Sequence, residues 1–296
     1  MTSADFEIRS PELRAILRPD SKVECIVPKL TFLEGPVWTP KENCLIFSDI
    51  QASTMYRWSE KGGLSIFRKP SGYANGNYLD LQGRLVTAGH SSRNVTRTEA
   101  DGRITVLAER YQGKKLNAPN DLVVKSDGSI WFTDPQYGRH TEELRQKEPF
   151  EMAERHVYRL DPETGILTSV AADFEGPNGL CFSPDESKLY IADTARKHVR
   201  VFDVTGGRSL RNSRLFAEIS PGVPDGIRAD TEGRLYCTAG DGIHVFSTSG
   251  ELLGKIRLPE TPANCAFGGG DRRRLFITAR TSLYGVTLAA TGAQRP

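Results

Sequence analysis

The feature that most constrains this chain is a six-fold internal repeat. Three of its copies are plain to the eye: "NAPNDL" at 117–122, "EGPNGL" at 175–180 and "GVPDGI" at 222–227. Each sets an oxygen-bearing side chain just after a proline and just ahead of a short apolar run. Aligned on that side chain, the copies start at Glu34, Asn75, Asn120, Asn178, Asp225 and Asn264, at intervals of 41, 45, 58, 47 and 39 residues. Ten or eleven residues after each start comes an alternating pair: Leu45/Phe47, Leu85/Thr87, Ile130/Phe132, Leu189/Ile191, Leu235/Cys237 and Leu275/Ile277, with Thr87 the polar exception. The segments between are turns such as "SDG", "DTEG" and "GGGDR", with the Gly and Asp that a hairpin tip requires.

A third strand follows in each copy, as in "MYRW" (55–58), "VYRL" (157–160), "VRVF" (199–202) and "IHVF" (243–246), and most copies add a fourth, such as "LSIF" (64–67) and "ITVL" (104–107). Four short antiparallel strands in a repeat of about 40–45 residues make a propeller blade. The chain therefore reads as one all-β domain, a six-bladed β-propeller over residues 1–296 with an N-terminal extension at 1–20. The sixth copy ends at "LYGVTL" (283–288), one strand short, and "KVECIV" (22–27) stands unassigned ahead of the first. The N-terminal segment is expected to close the ring as the outermost strand of the last blade. Helix is expected only at "SPELRAIL" (10–17), with Ser10 as N-cap and Pro11 in the first turn. The longest copy owes its length to residues 138–156, an insertion between the second and third strands of blade 3 that suggests a lid.

In a propeller the first strand of each blade lines the central channel, so the six starts form a ring around one mouth. Asn and Asp are favoured at any turn exit, where they bond local backbone, but six at one end of one channel form a pattern. All six carry side-chain oxygen, two carry charge, and none carries sulfur or imidazole. Such donors suit one hard divalent cation, Ca²⁺ first, with Fe²⁺, Mn²⁺ or Zn²⁺ as alternatives. Zinc fits least, because His90, His140, His156, His198 and His244 show no ligand spacing.

Composition narrows the field further. The net charge of +2 is dispersed, and "DRRR" (271–274), the one tight basic cluster, reads as a solvated turn. Binding nucleic acid would need a broad basic face. No apolar stretch nears the ~20 residues of a membrane span, and the start lacks a secretory h-region. Five cysteines, odd in number and without a CxxC pair, read as free thiols in a reducing cytoplasm. There is no G-x-S-x-G to suggest a serine hydrolase.

The stretches "EGPVW" (34–38), "NAPNDLVVKSDGSIWFTDPQYG" (117–138), "GPNGLCFSPDESKLYIADT" (176–194) and "PDGIRADTEGRLY" (224–236) closely resemble the gluconolactonase/regucalcin-like (senescence-marker-protein) family, and "TDPQYG" its bacterial gluconolactonase branch. The resemblance implies a six-bladed propeller that holds one divalent cation at its mouth and hydrolyses sugar lactones. It places the metal ligands on Glu34, Asn178, Asp225 and Asn120, the last of which serves the substrate in some members. Some animal members carry a substrate-binding arginine where this chain has Ala118, so recognition here must differ.

On that footing the cation polarises the lactone carbonyl and a nearby carboxylate takes the proton of the attacking water. Asp225 is the expected base, with Glu34 as the alternative. Asn120 and Asn264 are expected to donate to the oxyanion or to sugar hydroxyls, and Asn75, His90, Arg93 and Tyr137 to line the substrate site. Asp134 and Gln136 of "DPQYG" are placed at the same opening. Asp49 and Asp193 are expected mainly to bond neighbouring loops. Two other readings stay open: a phosphotriesterase-like hydrolase on the same scaffold, and a non-catalytic binding propeller. The choice of lactone and the oligomeric state are not legible.

Overall fold

The computed structural model of the protein describes residues 4–137 and 149–293. Six antiparallel sheets surround one axis. From the axis outward, blade 1 runs Leu33–Thr39, Cys44–Asp49, Thr54–Ser59 and Gly63–Arg68, and blade 2 runs Ala74–Leu79, Leu85–Gly89, Asn94–Thr98 and Ile104–Ala108. Blade 3 is Leu122–Val124, Ile130–Asp134, His156–Leu160 and Leu167–Ala171; blade 4 is Pro177–Phe182, Lys188–Asp193, His198–Thr205 and Ser209–Glu218. Blade 5 is Ile227–Ala229, Leu235–Ala239, Gly242–Phe246 and Leu252–Arg257. Blade 6 has three strands from the C-terminal part, Pro262–Gly268, Arg274–Ala279 and Ser282–Thr287, and a fourth, Glu24–Val27, from the N-terminal part.

The expected closure therefore holds: Glu24 pairs with Gly285 and Cys25 with Tyr284. Packing reinforces it. Trp38 of blade 1 stacks on Phe276 of blade 6 with ring centroids 5.6 Å apart, and both are buried. Elsewhere the core is a series of inter-blade layers, with Phe47, Trp131, Phe132, Tyr158 and Tyr236 fully enclosed. Truncating one such aromatic to alanine costs about 3–5 kcal/mol.

The helix forms at Pro11–Ile16, its Glu12 amide capped by the Ser10 hydroxyl at 3.2 Å, and it buries Leu13 and Ile16. Two elements were not foreseen: a short ribbon, Arg110–Tyr111 with Lys114–Lys115, and a strand near the N-terminus. Phe6–Ile8 adds a fifth strand to the outer edge of blade 5, covering amide and carbonyl groups that would otherwise invite pairing with another chain. At three residues it carries too few alternations to register as a strand in sequence. Four of the five cysteines are buried, Cys25 is exposed, and all five are free. No described helix is long and apolar enough to cross a membrane. Of the insertion at 138–156, residues 138–148 lie outside the described residues.

Candidate metal centre at the channel mouth

The ring side chains reach the channel because the inner strands are irregular at their mouth ends. Register shifts fall between Glu34 and Val37, Ala74 and Asn77, Pro177 and Leu180, and Pro262 and Asn264. A bulge of this kind bends a strand and re-aims its side chains. In blades 3 and 5 the ladder begins at Leu122 and Ile227, so Asn120 and Asp225 precede it. Glycine follows four of the six ring residues, and backbone from the next blade fills the space a side chain would take. Gly35 has φ +51 and lies against the Asn75 carbonyl, and the bare Cα of Gly226 leaves room for the Asn264 amide. Adjacent blades are tied there directly, Gly76 N–H to the Asn120 carbonyl at 2.8 Å and Gly179 N–H to the Asp225 carbonyl at 3.1 Å.

Three blades add an aspartate at the last residue of the second strand. Asp49 accepts the amides of Thr31 and Phe32, at 3.1 and 3.0 Å. Asp134 accepts those of Asn117 and Ala118, both at 2.8 Å, and Asp193 those of Glu175 and Gly176, at 3.1 and 2.9 Å. In each case the two amides lie three and two residues ahead of a ring residue: Glu34, Asn120 and Asn178. Asp49 and Asp193 thus bond loops as expected. Asp134 serves a loop too, and Gln136 donates to the carbonyls of Met152 and Ala153.

Ring side chains are also oriented individually. His90 Nε2 lies 2.8 Å from Asn75 Nδ2 and 3.2 Å from Asn120 Nδ2. Amide nitrogens only donate, so Nε2 accepts and the imidazole proton sits on Nδ1. Both carboxamide oxygens then turn elsewhere, and Asn75 Oδ1 is buried with no hydrogen-bond partner. Thr194 gives its hydroxyl hydrogen to the Pro224 carbonyl (2.7 Å) and so accepts from Asn178 Nδ2 (3.0 Å), which leaves the Asn178 oxygen for the channel. Asn264 uses its oxygen on the Cys265 amide (2.9 Å) and extends Nδ2 to Glu34 Oε2 (3.2 Å) and Asp121 Oδ2 (3.3 Å).

The carboxylates are electrostatically stressed. Burial raises the Glu34 carboxyl to about 7; the Gly35 amide opposes this, Asp121 adds to it, and Asn264 and Arg228 oppose it. Asp225 is pushed well above the usual carboxylate range, by burial first and then by Glu34 and Asp121, with Asn178 working the other way. Its Oδ1 is buried and has no hydrogen-bond partner. Tyr137 lies beside Gly176, and burial together with Asp225 lifts its phenol to about 12. Arg93 is buried, with Nε on the Leu116 carbonyl at 2.7 Å and its guanidinium over the Phe150 ring. Among the described residues no group of three or more His, Cys, Asp or Glu side chains is arranged to hold a metal. The ring draws most of its oxygen from carboxamides instead.

The pattern that describes the SMP-30/Gluconolactonase/LRE-like region matches residues 32–281. The chain belongs to this family. It is 36% identical to a gluconolactonase of Zymomonas mobilis over 96% of this chain and 86% of that one. It is 32% identical to a 6-deoxy-6-sulfogluconolactonase of Pseudomonas putida, over 87% of this chain and 86% of the other. A solved structure of a gluconolactonase from Xanthomonas campestris superposes with a TM-score of 0.90 at 37% identity, covering 96% of this chain and 94% of that one.

Two channel residues of this SMP-30/gluconolactonase-type mouth were missed by sequence reasoning. Asp121 occupies the place after a ring residue where four other blades have glycine, and "PND" beside "PNG" and "PDG" was the visible signal. Arg228 comes three residues after Asp225 and is 2% exposed. Its Nη1 meets Asp121 Oδ2 at 3.1 Å.

Proposed function

We propose that the protein is a lactonase that opens a sugar lactone of the gluconolactone type to its aldonic acid, with a divalent cation held by Glu34, Asn178, Asp225 and Asn120. The observation that carries the reading is the pair of desolvated carboxyls at one mouth, Glu34 and Asp225, in a chain whose relatives of similar length are named as lactonases. The donor set fits a hard cation: oxygen atoms only, a buried Asp225 Oδ1 without a partner, and an Asn178 oxygen turned to the channel by Thr194. When bound, the cation supplies Lewis-acid polarisation of the ester carbonyl.

The chain's own groups do the rest. A lactone is an ester held cis in a ring, so its carbonyl needs only modest activation. Asp225, which would be ionised with a cation in place, takes the proton of the attacking water on the carboxylate oxygen not spent on the ion. It returns that proton to the ring oxygen as the C–O bond breaks, leaving a hydroxy acid. Glu34, anchored by the Gly35 amide at 2.9 Å and by Asn264, keeps a fixed position while Asp225 cycles. Asn75 and Asn120 each spend one amide hydrogen on His90, and the second is available to substrate oxygen. Tyr137 offers a hydroxyl beside Asp225 for a sugar hydroxyl.

Assays of five- and six-carbon aldonolactones before and after chelation test the proposal. Turnover is expected to fall to background with EDTA and return with Ca²⁺ or Mn²⁺. Undiminished turnover in the chelated protein would remove the cation from the reading.

A further inference from the structure

The side chains that share the upper channel include a cation of their own. Asp121 from blade 3 and Arg228 from blade 5 form an ion pair that bypasses blade 4, 107 residues apart in sequence, with side-chain exposures of 1% and 3%. Arg228 is held in place by its own strand, since Nη1 also donates to the Ile227 carbonyl at 2.7 Å. The second Asp121 oxygen accepts the Leu122 amide at 2.9 Å. Burial works against the Arg228 charge, but Asp121 more than offsets it. The pair is not remote from the ring. Asn264 bridges Asp121 and Glu34 with a single amide nitrogen, and Asp121 directly follows Asn120.

Three carboxylates and one guanidinium therefore share the channel, Glu34, Asp121 and Arg228 buried and Asp225 half-buried. Fully ionised, Glu34, Asp121, Asp225 and Arg228 sum to −2. A single dication makes that set neutral, and a trication leaves an excess positive charge next to a guanidinium that cannot lose its proton. We infer that Arg228 sets the charge of the ion this mouth accepts: by neutralising Asp121 it limits the site to two uncompensated carboxylates, selecting a divalent over a trivalent cation. The inference rests on the cation reading above and extends it to a residue outside the proposed ligand set.

Three variants of the full chain vary the channel charge in single steps, −3 in Arg228→Met, −1 in Asp121→Asn and −2 again in the double variant. After dialysis against chelator, each is titrated with Ca²⁺ and with Tb³⁺ by calorimetry and terbium luminescence, so that binding rather than turnover is read. One unit charge several ångströms from the ion, at an effective dielectric near 20, shifts the Tb³⁺:Ca²⁺ preference by about 10–100-fold. Arg228→Met is expected to raise that ratio, Asp121→Asn to lower it, and the double variant to return to within about threefold of wild type by the same charge count. If Arg228→Met fails to fold because Asp121 is stranded, Asp121→Asn and the double variant still differ by one charge and decide the matter. Equal ratios in all folded forms, with wild type binding Ca²⁺, overturn the role of Arg228 alone. A wild-type chain that binds neither ion overturns both this inference and the cation reading.

Discussion

Blades 1, 3 and 4 deliver their ring residues differently from blades 2, 5 and 6. In the first set a strand-end aspartate, Asp49, Asp134 or Asp193, grips two amides just ahead of the ring residue. In the second the same strand end is Gly89, Ala239 or Ala279, and the ring residue depends on a neighbour. Asn75 leans on His90, the Asp225 amide donates to the Thr238 hydroxyl at 3.0 Å, and Asn264 is tied to the Cys265 amide. A carboxylate bonding two backbone amides makes a stiff joint, because charge-assisted bonds are short and strong. The stapled blades present Glu34, Asn120 and Asn178 as fixed oxygens. The unstapled ones include Asp225, whose carboxylate lacks a partner on one oxygen. The division separates three ring residues steadied by a carboxylate staple from three, Asp225 among them, that depend on a single neighbour.

The comparison breaks most visibly at Asp225. In Asp225→Asn, kcat for lactone opening should fall at least about 100-fold, the usual scale for losing a positioned general base. The chelated variant should be no less stable than wild type, since a desolvated charge is removed. Unchanged turnover would assign the proton transfer elsewhere.

Stability separates the two sets next. Asp193→Ala strands the amides of Glu175 and Gly176 and should cost about 2–4 kcal/mol in denaturant unfolding, while Thr238→Val in blade 5 should cost about 1 kcal/mol. Equal costs would mean that the staples do not stiffen the ring.

The pH dependence of stability has a fixed sign. Glu34 has an ordinary value of 4.5 and a folded value of about 7, so the folded state holds a proton that the unfolded state has released. Stability of the chelated protein is thus highest below about 4.5 and declines as pH climbs to about 7, by up to ~1.4 kcal/mol per pH unit for that group. Asp134, raised to about 7 by burial against the pull of the Asn117 and Ala118 amides, gives the same slope. Saturating Ca²⁺ should flatten the part due to Glu34, because cation binding favours the ionised ligand. Asp134→Asn should flatten the other part. Denaturant unfolding from pH 4 to 8, with and without Ca²⁺, checks both.

The blades and their closure were legible because period-two alternation and turn residues repeat six times, and because a missing strand at one end matched a spare one at the other. Ring membership was legible for the same reason. What each ring residue does was not. Asn75 and Asn264 have the same side chain, yet one faces a histidine and the other two carboxylates, and only neighbours from distant blades decide that. Arg228 was invisible as a channel residue because its partner lies in another blade, and a lone arginine in a strand has no pattern. The strand at Phe6–Ile8 escaped because three residues show no period.

The seam between blades 6 and 1 has a consequence for biosynthesis. Blade 6 combines Glu24–Val27 with Pro262–Thr287, and the Asn264–Glu34 hydrogen bond crosses the same junction over 230 residues of chain. Neither can form while the polypeptide is still emerging, since a ribosome delivers the N-terminal partner long before the C-terminal one. The mouth is therefore assembled last, and a nascent or prematurely ended chain carries most of the blades without a closed ring.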